Sequence, residues 1–116
     1  MTDLSDLQKK IIEFRDERDW KQFHNPKDLA ISLSLEASEF LEHFQWKTPE
    51  EIDKHLLKHK EDVSDELADV LNYILIIAND LDIDLMQASL KKLAKNSEKY
   101  EVSKAHGNHK KYTELN

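Results

Sequence analysis

Four acids at matched spacing are the residues of this chain best suited to chemistry. Two residues separate Glu36 from Glu39, two separate Glu66 from Asp69, and 26 lie between the pairs. On a helix, side chains at i and i+3 share a face, so each pair presents its carboxylates together. At about 100° per residue, Leu29, Leu33, Ala37, Phe40 and Phe44 form one apolar stripe. Glu36 falls inside that stripe, roughly 20–40° from Phe40 by the same arithmetic. Glu39 sits at its edge, beside Ser32 and His43. Val63, Leu67, Val70, Ile74, Ile77 and Leu81 make a second stripe, which Glu66 borders. A carboxylate among Leu and Phe is costly unless something compensates its charge. If the two helices are antiparallel neighbours, four carboxylates converge on one spot. An all-carboxylate ligand set suits a hard cation, Mg²⁺ or Mn²⁺, better than Zn²⁺. Mg²⁺ commonly bridges protein carboxylates to substrate phosphates, and such ions activate water for hydrolysis. The competing reading is a non-catalytic helical interaction module. With 24 Asp and Glu among 116 residues, paired acids also arise on solvated helix faces.

The helices that must carry these acids are marked by their ends. Leu4, Leu7, Ile11 and Phe14 recur at helical spacing, with Lys, Arg, Asp and Glu opposite; this predicts a first helix from about Leu4 to Trp20. Asn25 followed by Pro26 is a cap with Pro in the first turn, and starts a second helix that reaches about Gln45. Thr48-Pro49-Glu50-Glu51 has the spacing of a capping box. A polar stretch from Asp53 to Asp62 reads as a short separate helix. The long apolar helix then runs from about Glu61 to Leu81. Asp84 with Gln87 starts a fourth, to about Tyr100. The remainder, from Glu101 to Asn116, reads as loop or partly disordered chain and holds the only Gly, Gly107. Four helices with short connections predict an all-α four-helix bundle.

Bulk composition narrows the function. A chain of 116 residues suits one domain. One Gly, two Pro and 35% charged residues favour helices with few turns. The apolar content of 39% is lean for a lone globule and points to a core shared between subunits. A net charge of −7 disfavours nucleic acid as a partner. The absence of cysteine excludes a disulfide or a thiolate metal site. Asp3 and Asp6 interrupt any apolar leader, and no run approaches a membrane span. The expectation is a cytoplasmic protein with no membrane partner. Lysines gather between Lys91 and Lys111, opposed there only by Glu98 and Glu101. They suit a helix C-terminus as well as they suit an anionic substrate.

Several segments together resemble a known family. They are Arg18 to Pro26 (RDWKQFHNP), Glu36 to Glu39 (EASE), Phe44 to Lys47 (FQWK), Glu66 to Tyr73 (ELADVLNY) and Lys111 to Leu115 (KYTEL). In order and spacing they resemble the MazG-like all-α nucleoside triphosphate pyrophosphohydrolases, and within them the small dCTP pyrophosphatase branch. The resemblance covers nearly the whole chain. It implies a domain over residues 1–100 with a tail at 101–116, assembled as a homodimer or homotetramer. It also implies Mg²⁺-dependent hydrolysis between the α- and β-phosphates, giving a monophosphate and pyrophosphate. An alternative reading is another member of the same superfamily, acting on dUTP or phosphoribosyl-ATP.

Carried over by position, Glu36, Glu39, Glu66 and Asp69 match the family's metal ligands. Trp20, Trp46 and Tyr73 match its aromatic base-pocket positions, and Lys92 and Asn96 match polar positions that face the phosphates. Without the family, the tryptophans would read as ordinary core. Tyr73 lies four residues past Asp69 and so shares its face. Glu39, at the stripe's edge, is the carboxylate chosen to orient the attacking water. His24 and His43 read as structural or surface residues. No Glu has His three residues after it, so the di-iron signature of helical bundles is absent. The dCTP-directed relatives place a histidine on the first helix where this chain has Ile11. That side chain cannot hydrogen-bond a base, which weakens the expectation of strict cytosine selectivity.

Overall fold

The structure, a computed structural model, describes residues 3–114, except for the side chain of Tyr112. Leu115 and Asn116, the end of the expected tail, lie outside the described residues. The described chain is all-α with four long helices: α1 (Leu4–Glu17), α2 (Pro26–Glu42), α3 (Pro49–Asp80) and α4 (Leu85–Lys99). A 3₁₀ turn (Lys21–Phe23) joins α1 to α2, and a single helical turn, α5 (Val102–Ala105), interrupts the tail. No strand occurs among the described residues. None of their helices is long and apolar enough to cross a membrane.

The helices begin where local chemistry places them. Asn25 Oδ1 accepts the backbone N–H of Asp28 at 2.9 Å, with Pro26 as the first residue of α2. Thr48 and Glu51 form the expected capping box at the start of α3. Asp84 caps α4 by accepting the N–H of Gln87 at 3.1 Å. Asp3 and Asp6 cap α1 in the same reciprocal way. The short polar helix and the long apolar helix expected after Thr48 run on as one element, α3. They are divided only at His59, whose dihedrals (φ −122°, ψ 26°) leave helical geometry.

The end of α1 sets up part of the site. Arg18 is the last half-helical residue, and Asp19 follows in the left-handed region at φ 56°. Asp tolerates that region better than most side chains. The Asp19 N–H returns to the Asp16 carbonyl, and the Trp20 N–H to that of Arg15. This is the Schellman arrangement, in which the residue after the left-handed position packs back on the helix's last turn. Trp20 does so on Phe14, edge to face, with ring centroids 5.7 Å apart.

The chain divides into two compact units, residues 1–82 and 83–116. In the first, α3 is central and both α1 and α2 pack on it. Leu29, Val63, Leu75, Ile76 and Ala78 are its buried apolar residues. Each larger side chain among them, fully buried, contributes about 1.5–3 kcal/mol. Gln8 Nε2 donates to the Leu75 carbonyl at 2.8 Å and helps pin α1 to α3. Arg15 is buried as well and reaches Asp80: its Nη1 lies 2.9 and 2.8 Å from the two carboxylate oxygens. The sequence pattern placed Arg15 on a solvated face. In the second unit, α4 leaves Met86, Leu90 and Leu93 more than half exposed.

Candidate metal and nucleotide site

The α2–α3 pairing brings the two acid motifs together. Glu36 and Glu39 from α2 and Glu66 from α3 each offer a carboxylate oxygen, and the three oxygens lie within 4.8 Å of one another. Glu36 and Glu66 are half-buried and Glu39 is exposed. Oε2 of Glu36 and Oε2 of Glu66 are buried and have no hydrogen-bond partner. Burial first, then a hydrogen bond shared with Glu39 and the charges of Glu39, Asp69 and Glu66, push the Glu36 carboxyl up to about 7. Glu66 is raised too, by burial, then by Glu39, then by the charge of Asp69. Like charges this close disfavour full ionisation. A divalent cation would remove that conflict and satisfy the orphaned oxygens, so this donor set fits a hard metal ion.

Asp69 stands slightly apart. It acts on Glu36 and Glu66 through its charge, yet its side chain lines a hollow of about 380 Å³ on the α1 side. Ile11, Phe14, Trp20, Asn72 and Tyr73 line the same hollow. That volume falls in the range of small-molecule sites. Two of the three expected aromatics, Trp20 and Tyr73, therefore meet beside Asp69. Arg18 stacks its guanidinium 3.6 Å from the Phe14 ring centroid and so steadies the edge of this wall.

Trp46 does not line that hollow. It stands at the α2–α3 turn, 92% exposed and in the left-handed region at φ 64°. Lys92 and Asn96 lie on α4 in the second unit, Lys92 exposed and Asn96 half-buried. On its other side the acidic group borders a second hollow, of about 480 Å³, lined by Glu39 and Glu66 with Glu42, His43, Lys47 and His55.

The structure adds residues that the sequence reading left out. Asn72 brings the one side-chain amide to the aromatic hollow. It lies three residues past Asp69, and that same-face spacing was a signal available in the sequence. Phe14 serves as a wall of the hollow and not as core. His24 reaches the hollow with Nδ1 buried and unpartnered. Burial, and then the charge of Arg15, lower its pKa against a smaller opposing effect of Asp80.

Comparison with known proteins is consistent with this arrangement. Residues 31–115 match the model of the MazG-like family. The chain is 39% identical over 114 residues to dCTP pyrophosphatase 1 of Mus musculus and to that of Homo sapiens, an overlap of 97% of this chain and 67% of each relative. A crystal structure of a pyrophosphatase from Archaeoglobus fulgidus superposes with a TM-score of 0.81 at 38% identity, covering 87% of this chain and 94% of that one.

Proposed function

Because the chain belongs to the MazG-like family, we propose that it is a cytoplasmic, Mg²⁺-dependent enzyme that hydrolyses dCTP or a related pyrimidine deoxynucleoside triphosphate to the monophosphate and pyrophosphate. Its class is that of a nucleoside triphosphate pyrophosphohydrolase. The observation that carries the reading is the convergence of Glu36, Glu39 and Glu66 beside an aromatic hollow that also holds Asp69.

In this reading Glu36, Glu39, Glu66 and Asp69 hold divalent cations, Mg²⁺ or Mn²⁺. When bound, such cations neutralise triphosphate charge and make a water more acidic. Trp20 and Tyr73 take the base between aromatic faces, as the hollow's lining supports. Such stacking contributes roughly 1–3 kcal/mol and tolerates different bases. Asn72 offers a donor and an acceptor to whatever enters beside it. In the same reading Glu39, the exposed member of the acidic group, orients the attacking water toward the α-phosphorus. Lys92 and Asn96 are proposed as contacts to phosphate oxygens, and Trp46 as a further stacking residue. We take residues 1–100 as the catalytic domain and 101–116 as its tail.

A homodimer or homotetramer forms part of the proposal. Ile31 and Leu35 on α2 and Leu67 on α3 are about half exposed or more, and a second copy of the chain would cover them. The test is a substrate panel of dCTP, 5-methyl-dCTP, dUTP, dTTP and dATP with Mg²⁺ and product analysis. Monophosphate and pyrophosphate from the pyrimidine substrates are expected. Release of orthophosphate and a diphosphate, or a preference for dATP, would overturn the proposal.

A further inference from the structure

The acidic group has a hollow on each side, and the reaction proposed above fills only one of them. The aromatic hollow on the α1 side is lined by Asp69, Trp20 and Tyr73. The other, of about 480 Å³, is lined by Glu39, Glu42 and Glu66 together with His43, Lys47 and His55. The turn between α2 and α3 brings Lys47 there: Trp46 takes the left-handed region at φ 64°, and the Lys47 N–H returns to the Phe44 carbonyl at 3.2 Å. Lys47 is half-buried, and its charge reaches Glu51 and His55. Although three carboxylates line the same hollow, its ammonium is in no ion pair among the described residues. His43 Nδ1 and His55 Nε2 share a hydrogen bond of 2.9 Å, so one ring donates to the other. In the neutral pair, whichever ring donates, the two remaining nitrogens are one N–H and one lone pair. The pair therefore always keeps one N–H for an outside acceptor.

We propose that this second hollow holds the β- and γ-phosphates of the substrate, with Lys47, His43 and His55 as the groups that bind the leaving pyrophosphate. Given the pyrophosphohydrolase reading, on which this rests, the nucleotide lies in one direction. With the base against Trp20 and Tyr73 and the α-phosphorus over the carboxylates, the outer phosphates continue to the far side of the acidic group. Tyr73, Asp69 and Glu66 follow one another along α3 in that order, and at 1.5 Å per residue Tyr73 and Glu66 are about 10 Å apart along the axis. An extended nucleoside triphosphate spans a comparable length. Hydrolysis breaks the bond from the α-phosphorus to the α–β bridging oxygen. That oxygen keeps the bonding electrons and leaves as part of the pyrophosphate. The water's oxygen replaces it on phosphorus, and the water's protons are shared between pyrophosphate and solvent. Charge therefore builds on the leaving group, where a preplaced cation and an N–H donor stabilise it. A lysine ammonium is a compact point charge suited to phosphate. Glu39, Glu42 and Glu66 repel an anion from the same hollow, so pyrophosphate enters as its Mg²⁺ complex. Lys47, His43 and His55 belong to the same compact unit as the carboxylates, whereas Lys92 lies in the other.

The experiment titrates the full chain, in excess Mg²⁺, with inorganic pyrophosphate and separately with dCMP in a calorimeter, alongside steady-state hydrolysis of dCTP. Lys47→Met and His55→Leu should each weaken pyrophosphate binding and raise KM for dCTP about tenfold, and keep dCMP affinity within about twofold of the parent. Lys47→Arg should recover most of the loss. Helical circular dichroism, unchanged in the variants, shows that lost binding is not lost folding. Pyrophosphate affinity unchanged in both Lys47→Met and His55→Leu, while the parent releases pyrophosphate from dCTP, would overturn the assignment of this hollow and leave the reaction standing. Equal losses for pyrophosphate and dCMP would overturn it too, because the variants would then disturb the whole site. A parent that releases no pyrophosphate from any nucleotide would instead overturn the pyrophosphohydrolase reading, and this subsite with it.

Discussion

Glu36 on α2 and Glu66 on α3 each turn Oε2 into a buried position without a hydrogen-bond partner, and both share with Glu39 a space in which carboxylate oxygens lie within 4.8 Å. Two helices thus meet through groups that repel when ionised. The arrangement disfavours the metal-free chain at high pH and favours the cation-bound one.

That conflict sets a pH dependence. The Glu36 carboxyl is held up at about 7 against an ordinary value of 4.5, chiefly by burial and then by Glu39. Between those values the folded chain binds more protons than the unfolded one, so stability falls as pH rises. This contribution is complete below the ordinary carboxylate value and is lost as pH passes through about 7. In chelator the chain should melt at a higher temperature near about pH 5.5 than near about pH 8. Excess Mg²⁺ should raise the melting temperature more at the higher pH, where the ligands are ionised. Calorimetric scans across the interval check both statements; a metal-free melting temperature that climbs with pH would contradict the first.

Glu36→Gln should flatten much of that slope. It removes one charge from the cluster and leaves the backbone and side-chain volume nearly unchanged. The variant should fold, melt at or above the parent in chelator near about pH 8, and lose nearly all hydrolysis. Lower stability under those conditions would mean that the carboxylate is structural.

Trp46 allows stability and binding to be separated. Its φ of 64° is strained for a residue with a Cβ, and its ring is 92% exposed in this chain. Trp46→Gly should relieve about 1 kcal/mol of backbone strain. If the ring stacks on the base, KM should rise for every accepted nucleotide by about 5- to 150-fold, from roughly 1–3 kcal/mol of stacking. Denaturation and steady-state kinetics on one preparation report both. An unchanged KM would remove Trp46 from the site.

Asn72 supplies the amide in the aromatic hollow, which is also lined by Ile11, a side chain that cannot hydrogen-bond. Asn72→Leu keeps the shape and removes the donor and acceptor. A neutral hydrogen bond is worth about 0.5–1.5 kcal/mol, so kcat/KM on the preferred nucleotide should fall roughly 2- to 10-fold. Discrimination between dCTP and dUTP should narrow. Equal losses on every substrate would assign Asn72 to packing and not to readout.

Arg15 and Asp80 form the test of the scaffold. Asp80→Leu leaves the buried guanidinium of Arg15 without its Asp80 partner, at a cost of about 3–5 kcal/mol. Arg15→Met combined with Asp80→Leu should recover much of that loss, because an apolar pair of similar size needs no compensation. Urea denaturation of the parent, the single variant and the double variant measures the difference; a double variant no better than the single would contradict it.

What the sequence determined by itself was local. Asn25 before Pro26, Thr48 with Glu51, and Asp84 with Gln87 each cap a helix through contacts three residues apart, so spacing alone locates them. The paired acids were legible for the same reason, since i and i+3 share a face in any helix. The tertiary structure decided which faces meet. Crossing α2 on α3 joined Glu66 to Glu36 and Glu39, and gave Asp69 to the neighbouring hollow. It drew His43 onto His55. It also buried Arg15, which the helical pattern had assigned to solvent, because its partner Asp80 lies 65 residues away. A charge's burial depends on a partner that periodicity does not encode, so only the packed chain could place it.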